Sequence, residues 1–267
     1  MTMSDPRQPL FDLTGKVAVV TGSSRGIGRA IAERMAEHGA KLVISSRKQE
    51  ACEEVAAAIH ANGGEAFAHA CNVSRREEVE ALVAAAMAKW GRIDILVCNA
   101  SANPTYGPVA SLDDAAMDKI FAANIKSVVW FANLVAPQMA ERGDGTIMLI
   151  SSVGGFIGSD VLGFYNMSKA AEQSLARSLA LEWGRGNVRV NCIAPGLVRT
   201  DFSRALWQDE ASFARLTGTS ALRRMAEPDE IAGTAVYLAS RAGSFVTGQT
   251  IVVDGGRLIG AWPASSE

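Results

Sequence analysis

Cysteine, histidine and aromatic side chains are all scarce in this chain. Its four cysteines, Cys52, Cys71, Cys98 and Cys192, stand far apart and show no paired, metal-type spacing. Three lie in or beside apolar runs, as the buried reduced thiols of a cytosolic protein do. The three histidines, His38, His60 and His69, adjoin no ligand-like cluster, so no metal is expected. Neither sign of charge is in excess. Lysine and arginine number 26 against 28 acidic residues, a formal net charge of −2, which argues against nucleic acid as the main partner. No apolar run reaches the ~18 residues of a membrane span. Met1–Leu10 carries two prolines and two charges but lacks the apolar centre of a secretory signal. The last residues, Ser265, Ser266 and Glu267, are not a peroxisomal address of the Ser-Lys-Leu type. No membrane partner is expected, and the cytoplasm is the default location.

What is present is glycine, at 25 residues, within a composition that is 48% hydrophobic and 20% charged, the balance of an α/β globular protein. Short β-branched runs alternate with amphipathic segments along the whole chain. Strands are predicted at Lys16–Thr21, Lys41–Ser46, Ala66–Cys71, Ile93–Cys98, Thr146–Ser151, Val188–Ile193 and Gln249–Val253. Helices are predicted to follow the first glycine turn as far as His38, then at Lys48–Asn62, Arg75–Trp90, Leu112–Arg142 with a candidate break near Asn124, Gly163–Gly184 and Pro228–Leu238. About seven strands with intervening helices predict a Rossmann-type, doubly wound parallel sheet with helices on both faces. With no linker or repeat, residues 1–267 read as one domain.

Directly after the first strand comes Gly22-Ser-Ser-Arg-Gly-Ile-Gly28, and then a helix. A glycine-rich stretch is by itself often just a turn. Between a strand and a helix it lets backbone amides approach a pyrophosphate at the positive end of the helix. At the end of the second strand, where an acid would bond the ribose 2′-hydroxyl of NAD, the chain has Ser46 followed by Arg47 and Lys48. An acid would repel a 2′-phosphate, whereas Ser46 and Arg47, with Arg25 in the glycine turn, can bind one. NADP(H) is therefore the expected cofactor, with NAD(H) second. The bland alternative is that Arg47 and Lys48 merely open a solvated helix.

Tyr165 and Lys169 are four residues apart and share a helical face. Such a pair is commonplace on helices, the phenol packed and the ammonium solvated. An ammonium one turn away also favours the phenolate and lowers the phenol pKa toward useful acid–base chemistry. Ser152, thirteen positions earlier at a strand end, adds a hydroxyl for a substrate oxygen. Ligands bind beyond the carboxyl ends of such strands. Gly22–Gly28, Ser46–Arg47, Asn72, Asn99, Ser152 and Pro195–Gly196 all fall at those ends.

With these motifs in this order, the chain resembles the short-chain dehydrogenase/reductase family from about Leu13 to Gly256. The matching residues are Thr21–Gly28, Asn99-Ala100, Asn124, Ser152, Tyr165 with Lys169, Pro195-Gly196 and Asp254-Gly255-Gly256. The resemblance implies that Tyr165 is the general acid/base and that Lys169 depresses its pKa and holds the nicotinamide ribose. It implies that Ser152 orients the carbonyl or alcohol, and that Asn124 holds a helix break and a relay water. The implied cofactor contacts are Gly22, Ser24, Arg25, Gly26, Ile27, Gly28, Ser46, Arg47, Asn72, Val73, Asn99, Ala100, Tyr165, Lys169, Pro195, Gly196, Val198 and Thr200. Two positions depart from the family pattern: Ser101 replaces a glycine after Asn99-Ala100, and Asn72 replaces an aspartate.

Segments around Val43–Gln49, Asn103-Pro104, Ala194–Thr200 and Phe202–Trp207 look closest to the NADP(H)-dependent retinal/carbonyl reductase branch. That implies hydride transfer between NADP(H) and an aldehyde/ketone–alcohol pair, with bulky apolar carbonyls as small-molecule substrates. The 3-oxoacyl-carrier-protein reductases are the alternative, and a non-catalytic NADP(H)-binding regulator is a further one. The substrate side is expected from Asn103–Gly107, Gly154–Phe164 and the insertion Leu197–Ala221. The aromatic residues Phe202, Trp207 and Phe213 make that insertion either a lid or an anchored structural helix. The resemblance also implies a homotetramer, with the tail Arg257–Glu267 packing on a neighbouring subunit.

Overall fold

The computed structural model describes residues 9–260. Residues 1–8, and the tail from residue 261 with Trp262 and the terminal Ser265–Glu267, lie outside the described residues.

Seven parallel strands form one sheet in the order β3-β2-β1-β4-β5-β6-β7. In chain order, β1 (Val17–Thr21) leads to α1 (Gly26–Glu37), β2 (Lys41–Ser45), α2 (Gln49–Ala61), β3 (Glu65–Ala68), α3 (Arg76–Trp90) and β4 (Ile95–Cys98). There follow α4 (Asp114–Ile120), a π-helical turn (Phe121–Lys126), α5 (Ser127–Arg142), β5 (Gly145–Ile150), α6 (Gly163–Trp183) and β6 (Val188–Pro195). The chain closes with α7 (Glu210–Gly218), α8 (Asp229–Ala239) and β7 (Thr250–Val253). Every residue of β1, β4 and β5 is buried, which is why these strands read as continuous apolar runs rather than alternating ones. The pleat still sorts them by face. Ala18, Val20, Leu42, Ile44, Ile95 and Val97 pack against Ile31 and Met35 of α1, Val55 of α2 and Ile231 and Ala235 of α8. Val19, Val43, Leu96, Ile147 and Leu149 pack against Leu82 of α3, Phe131 and Val135 of α5 and Leu179 of α6.

β1 lies between β2 and β4, with Val17 paired to Lys41 on one side and Ala18 to Ile95 on the other. The strand order reverses there, leaving a crevice beyond the carboxyl ends of β1 and β4.

Several boundaries differ from those read in the sequence. β3 ends at Ala68; beyond it His69 N and Cys71 N donate to Ile44 O and Ser46 O at 3.0 and 2.9 Å without continuing the ladder. β6 runs two residues further, to Pro195, which sits opposite Val253 at the strand end, where its missing N–H costs little. The long middle helix starts at Asp114, capped by Asp113 Oδ1 accepting from Ala116 N at 2.8 Å. It is widened at Asn124 rather than broken. The run Asp114–Arg142 is also long and apolar enough to cross a membrane, the one such helix among the described residues. Here half of its most apolar stretch is buried, with Phe131, Val135 and Met139 in the core.

Candidate active site

The glycine turn is held by β4. Asn99 Nδ2 donates to Thr21 O at 2.8 Å and Gly22 O at 3.1 Å. Thr21 Oγ1 accepts from Asn99 N and Ala100 N, both at 3.0 Å, and donates to Val97 O. Gly22 and Gly26 have φ of +65° and +58°, a region that side chains with a Cβ disfavour. A Cβ on Gly22 would stand 2.8 Å from Asn99 Nδ2, and one on Gly28 would stand 2.5 Å from Gly22 O. α1 begins beside this turn with no side-chain cap from Arg25 and no acid in its first turn. Its amides and partial positive charge are thus left for an anion, so the residues fit a dinucleotide pyrophosphate. The Thr200 methyl would lie 3.3 Å from a Cβ on Gly26, bringing the end of the Ala194–Thr200 segment to the same turn. Gly196 is pinned against Asp254, where a Cβ would meet the Asp254 Cα at 2.7 Å.

Residues around the expected ribose and adenine positions are arranged less simply. Arg25 pairs with Asp201 of the insertion at 3.2 Å. Ser46 Oγ lies 3.1 Å from Cys52 Sγ, while Arg47 is exposed. Asn72 Oδ1 already accepts from Ser74 N at 3.1 Å, and Val73 is buried in the core. Val198 is buried and bridges to Ala226.

On the β5 side, Ser152 opens a 3-10 turn, Val153–Phe156, and its Oγ accepts from Gly154 N at 3.0 Å. That hydroxyl also stands near enough to the phenol of Tyr165, at the start of α6, to favour its ionised form. Lys169 Nζ lies 5.5 Å from the Tyr165 ring centre, one helical turn along. Burial raises the Tyr165 pKa above its ordinary value; Lys169 lowers it, Glu172 raises it and the Ser152 hydrogen bond lowers it. The net direction reverses the one expected from Tyr165 and Lys169 alone. Burial is the main reason, and Glu172, unforeseen in the sequence, adds to it. Its carboxylate accepts from Lys169 Nζ at 2.8 and 3.1 Å, with both side chains almost completely buried.

Asn124 sits in the π turn, 1% exposed. Its Oδ1 accepts from Ala102 N at 2.8 Å and Ser101 Oγ at 3.1 Å, and its Nδ2 donates to Ala102 O and Ser168 Oγ at 3.2 and 3.0 Å. Four protein partners saturate the amide, so its side chain does not hold the implied relay water. Ser101, the departure from the family pattern, supplies one of those four. Ser168 Oγ in turn donates to Tyr165 O at 2.7 Å, tying the π turn to the first turn of α6.

The segments Asn103–Gly107 and Gly154–Phe164 meet. Gly107 N donates to Val161 O at 2.9 Å, and in the insertion Phe202 is the aromatic that approaches Tyr165, at 6.1 Å between ring centres. Trp207 is instead anchored, its Nε1 donating to Ser203 Oγ at 3.1 Å under the Arg199 guanidinium. Trp207 and Phe213 line a cleft of about 640 Å³ with Arg199, Arg204, Gln208 and Glu210, and neither Tyr165 nor a glycine-turn residue borders it.

Comparison with known proteins agrees with this geometry. Residues 22–257 match the sequence model of the family described as Enoyl-(Acyl carrier protein) reductase. The chain is 43% identical over 244 residues to Dehydrogenase/reductase SDR family member 4 of Oryctolagus cuniculus, covering 91% of this chain and 94% of the rabbit protein. A 7α-hydroxysteroid dehydrogenase solved with NADH and 7-oxo glycochenodeoxycholic acid superimposes with a TM-score of 0.88 at 35% identity, over 92% of this chain and 96% of the other. A gluconate 5-dehydrogenase from Burkholderia cenocepacia, in complex with NADP and tartrate, gives 0.90 at 34% identity, over 94% and 98%.

Proposed function

The chain belongs to the short-chain dehydrogenase/reductase family and is an oxidoreductase, and from that premise we propose that it interconverts aldehydes or ketones and their alcohols with NADP(H), reducing bulky apolar carbonyl compounds. One observation carries this reading: the Ser152 hydroxyl and the Tyr165 phenol adjoin, with Lys169 behind, at the sheet edge that bears the glycine turn. Bound there, the nicotinamide supplies hydride for reduction or accepts it in the reverse direction. The glycine turn with Ser24 and Ile27 would hold the pyrophosphate end, and Arg25 would join the 2′-phosphate site. Asn72 and Val73 would face the adenine, Ser46 and Arg47 the 2′-phosphate, and Asn99, Ala100, Pro195, Gly196, Val198 and Thr200 would line the remaining cleft.

The chain's own chemistry is a proton transfer. Ser152 and Tyr165 both donate to the carbonyl oxygen and meet the negative charge that develops on it. Tyr165 then releases its proton to that oxygen. A phenol held above its ordinary pKa is protonated at neutral pH, the form a donor needs. A bulky apolar substrate is supported by Tyr106, Phe156, Ile157 and Phe202, exposed apolar residues on the three expected substrate-side segments. NADP(H) is supported by the absence of an acid at the end of β2.

The test is nicotinamide oxidation, followed by absorbance, with NADPH and NADH against an aromatic ketone, an aromatic 1,2-dione, retinal and a short 3-oxoacyl thioester. Turnover of the apolar carbonyls with NADPH is expected. Turnover of the thioester alone would move the protein to the fatty-acid reductases. Tyr165→Phe should cut turnover by roughly 10²–10⁴-fold while NADPH still binds. Turnover within a few-fold of wild type would remove Tyr165 as the proton donor.

A further inference from the structure

The buried face of α6 is polar through its first turns, carrying Asn166, Ser168, Lys169, Glu172 and Gln173 where a core helix normally presents apolar residues. Most of these have evident partners in the site. Glu172 has no part in the proton transfer described above, yet it makes the closest charged contact of Lys169. The lysine ammonium has three N–H donors, and its partners are both Glu172 oxygens and Ile150 O, the last at 3.0 Å. Its positive charge is therefore paired inside the protein before any ligand arrives.

We infer that Glu172 is a positioning residue that neutralises the Lys169 ammonium and so keeps Tyr165 protonated, setting the site toward proton donation and carbonyl reduction rather than alcohol oxidation. The inference rests on the proposed role of Tyr165. An ammonium alone behind the phenol would stabilise phenolate and favour the base needed for oxidation. A carboxylate on the same helical face, three residues beyond the lysine, cancels that field.

The groups facing Glu172 are few. Lys169 and Tyr165 stand on its own helix, Ser151 approaches from the end of β5, and Cys98 and Cys192 approach from β4 and β6. Burial pushes both thiols far up, so they stay neutral across the working range. Burial also pushes the Glu172 carboxyl up, to about 7, against the Lys169 ammonium. Burial works against the Lys169 ammonium too, but the Glu172 carboxylate offsets it and the lysine pKa stands above its ordinary value. In the alkaline range where Tyr165 ionises, Glu172 is thus already an anion, and its charge opposes the phenolate. Removing that charge lowers the phenol pKa.

The chain has three tyrosines, Tyr106, Tyr165 and Tyr237, so tyrosinate absorbance titration can isolate Tyr165 by subtracting a Tyr165→Phe variant. Glu172→Gln, with Glu172→Gln/Tyr165→Phe as its own blank, should lower the Tyr165 midpoint by about one pH unit. Glu172→Asp, which keeps the charge, should stay near wild type. If the glutamine variant does not fold, Glu172→Leu serves as the neutral form with the same expected shift. In kinetics, the alkaline rise of alcohol oxidation should move to lower pH by the same amount. A midpoint unmoved or raised in the neutral variant overturns the inference, a raised one meaning that Glu172 serves to keep Lys169 charged. The titration needs no substrate. A shifted midpoint in a protein inactive on every carbonyl would therefore sink the proposed function while upholding the hold of Glu172 on the Tyr165 proton.

Discussion

Thr21 shows how tightly single residues are used at this sheet edge. One hydroxyl accepts from two amides of the segment after β4 and donates to Val97 O, filling all of its hydrogen-bonding capacity. Among the described residues nothing comparable engages Arg47, which is exposed beside Ser46 at the end of β2. If it binds a 2′-phosphate, Arg47→Ala should weaken NADPH roughly tenfold and NADH little, read as dissociation constants by fluorescence titration. Equal effects on both would remove Arg47 from cofactor selection. The glycines, Ser152, Tyr165 and Lys169 were legible in the sequence because spacing and neighbouring strands fix where they stand. Glu172 was not. A charged residue in a helix reads as solvated, and only the packing of α6 against β5 and β6 reveals it as buried.

At the scale of elements, the π turn at Asn124 is the part hardest to foresee. Its residues are ordinary helix formers, and the extra residue in the turn has no compositional signature. The sequence reading placed a disturbance near the right residue but cast it as a break. In fact the helix continues, and the amide of Asn124 joins the loop after β4 to α6. Asn124→Ala would leave Ala102 N–H and its neighbours unpaired in a buried site, a loss of about 2–3 kcal/mol. Thermal unfolding should show a melting point lower by several degrees; a change under one degree would mean that water replaces the amide. The insertion was likewise half legible. Its aromatics signalled a packed segment, while which of them faces Tyr165 depended on the Ser203–Trp207 hydrogen bond, a tertiary detail absent from composition.

For the whole molecule, the alternation of strands and helices was enough to give the sheet, because its central strands are apolar runs covered on both faces. Assembly is less visible. β7 is an edge strand whose residues are at best half-buried, and Phe245 beside it is fully exposed. These features support the homotetramer expected from the resemblance, and sedimentation velocity should return the mass of four chains. A monomer at micromolar concentration would overturn it.

The strand order also dictates when the site can come into being. The glycine turn is encoded next to residue 22, but the side chain that pins it, Asn99, lies 77 residues further on, because β4 rather than β3 takes the side of β1 that β2 leaves open. Gly196 waits in the same way for Asp254 after β7. A chain leaving the ribosome thus carries an unlocked nucleotide loop through the making of β2 and β3, and its cleft is finished only when the last strand is in place. Truncation or stalling before β7 yields no smaller version of the enzyme.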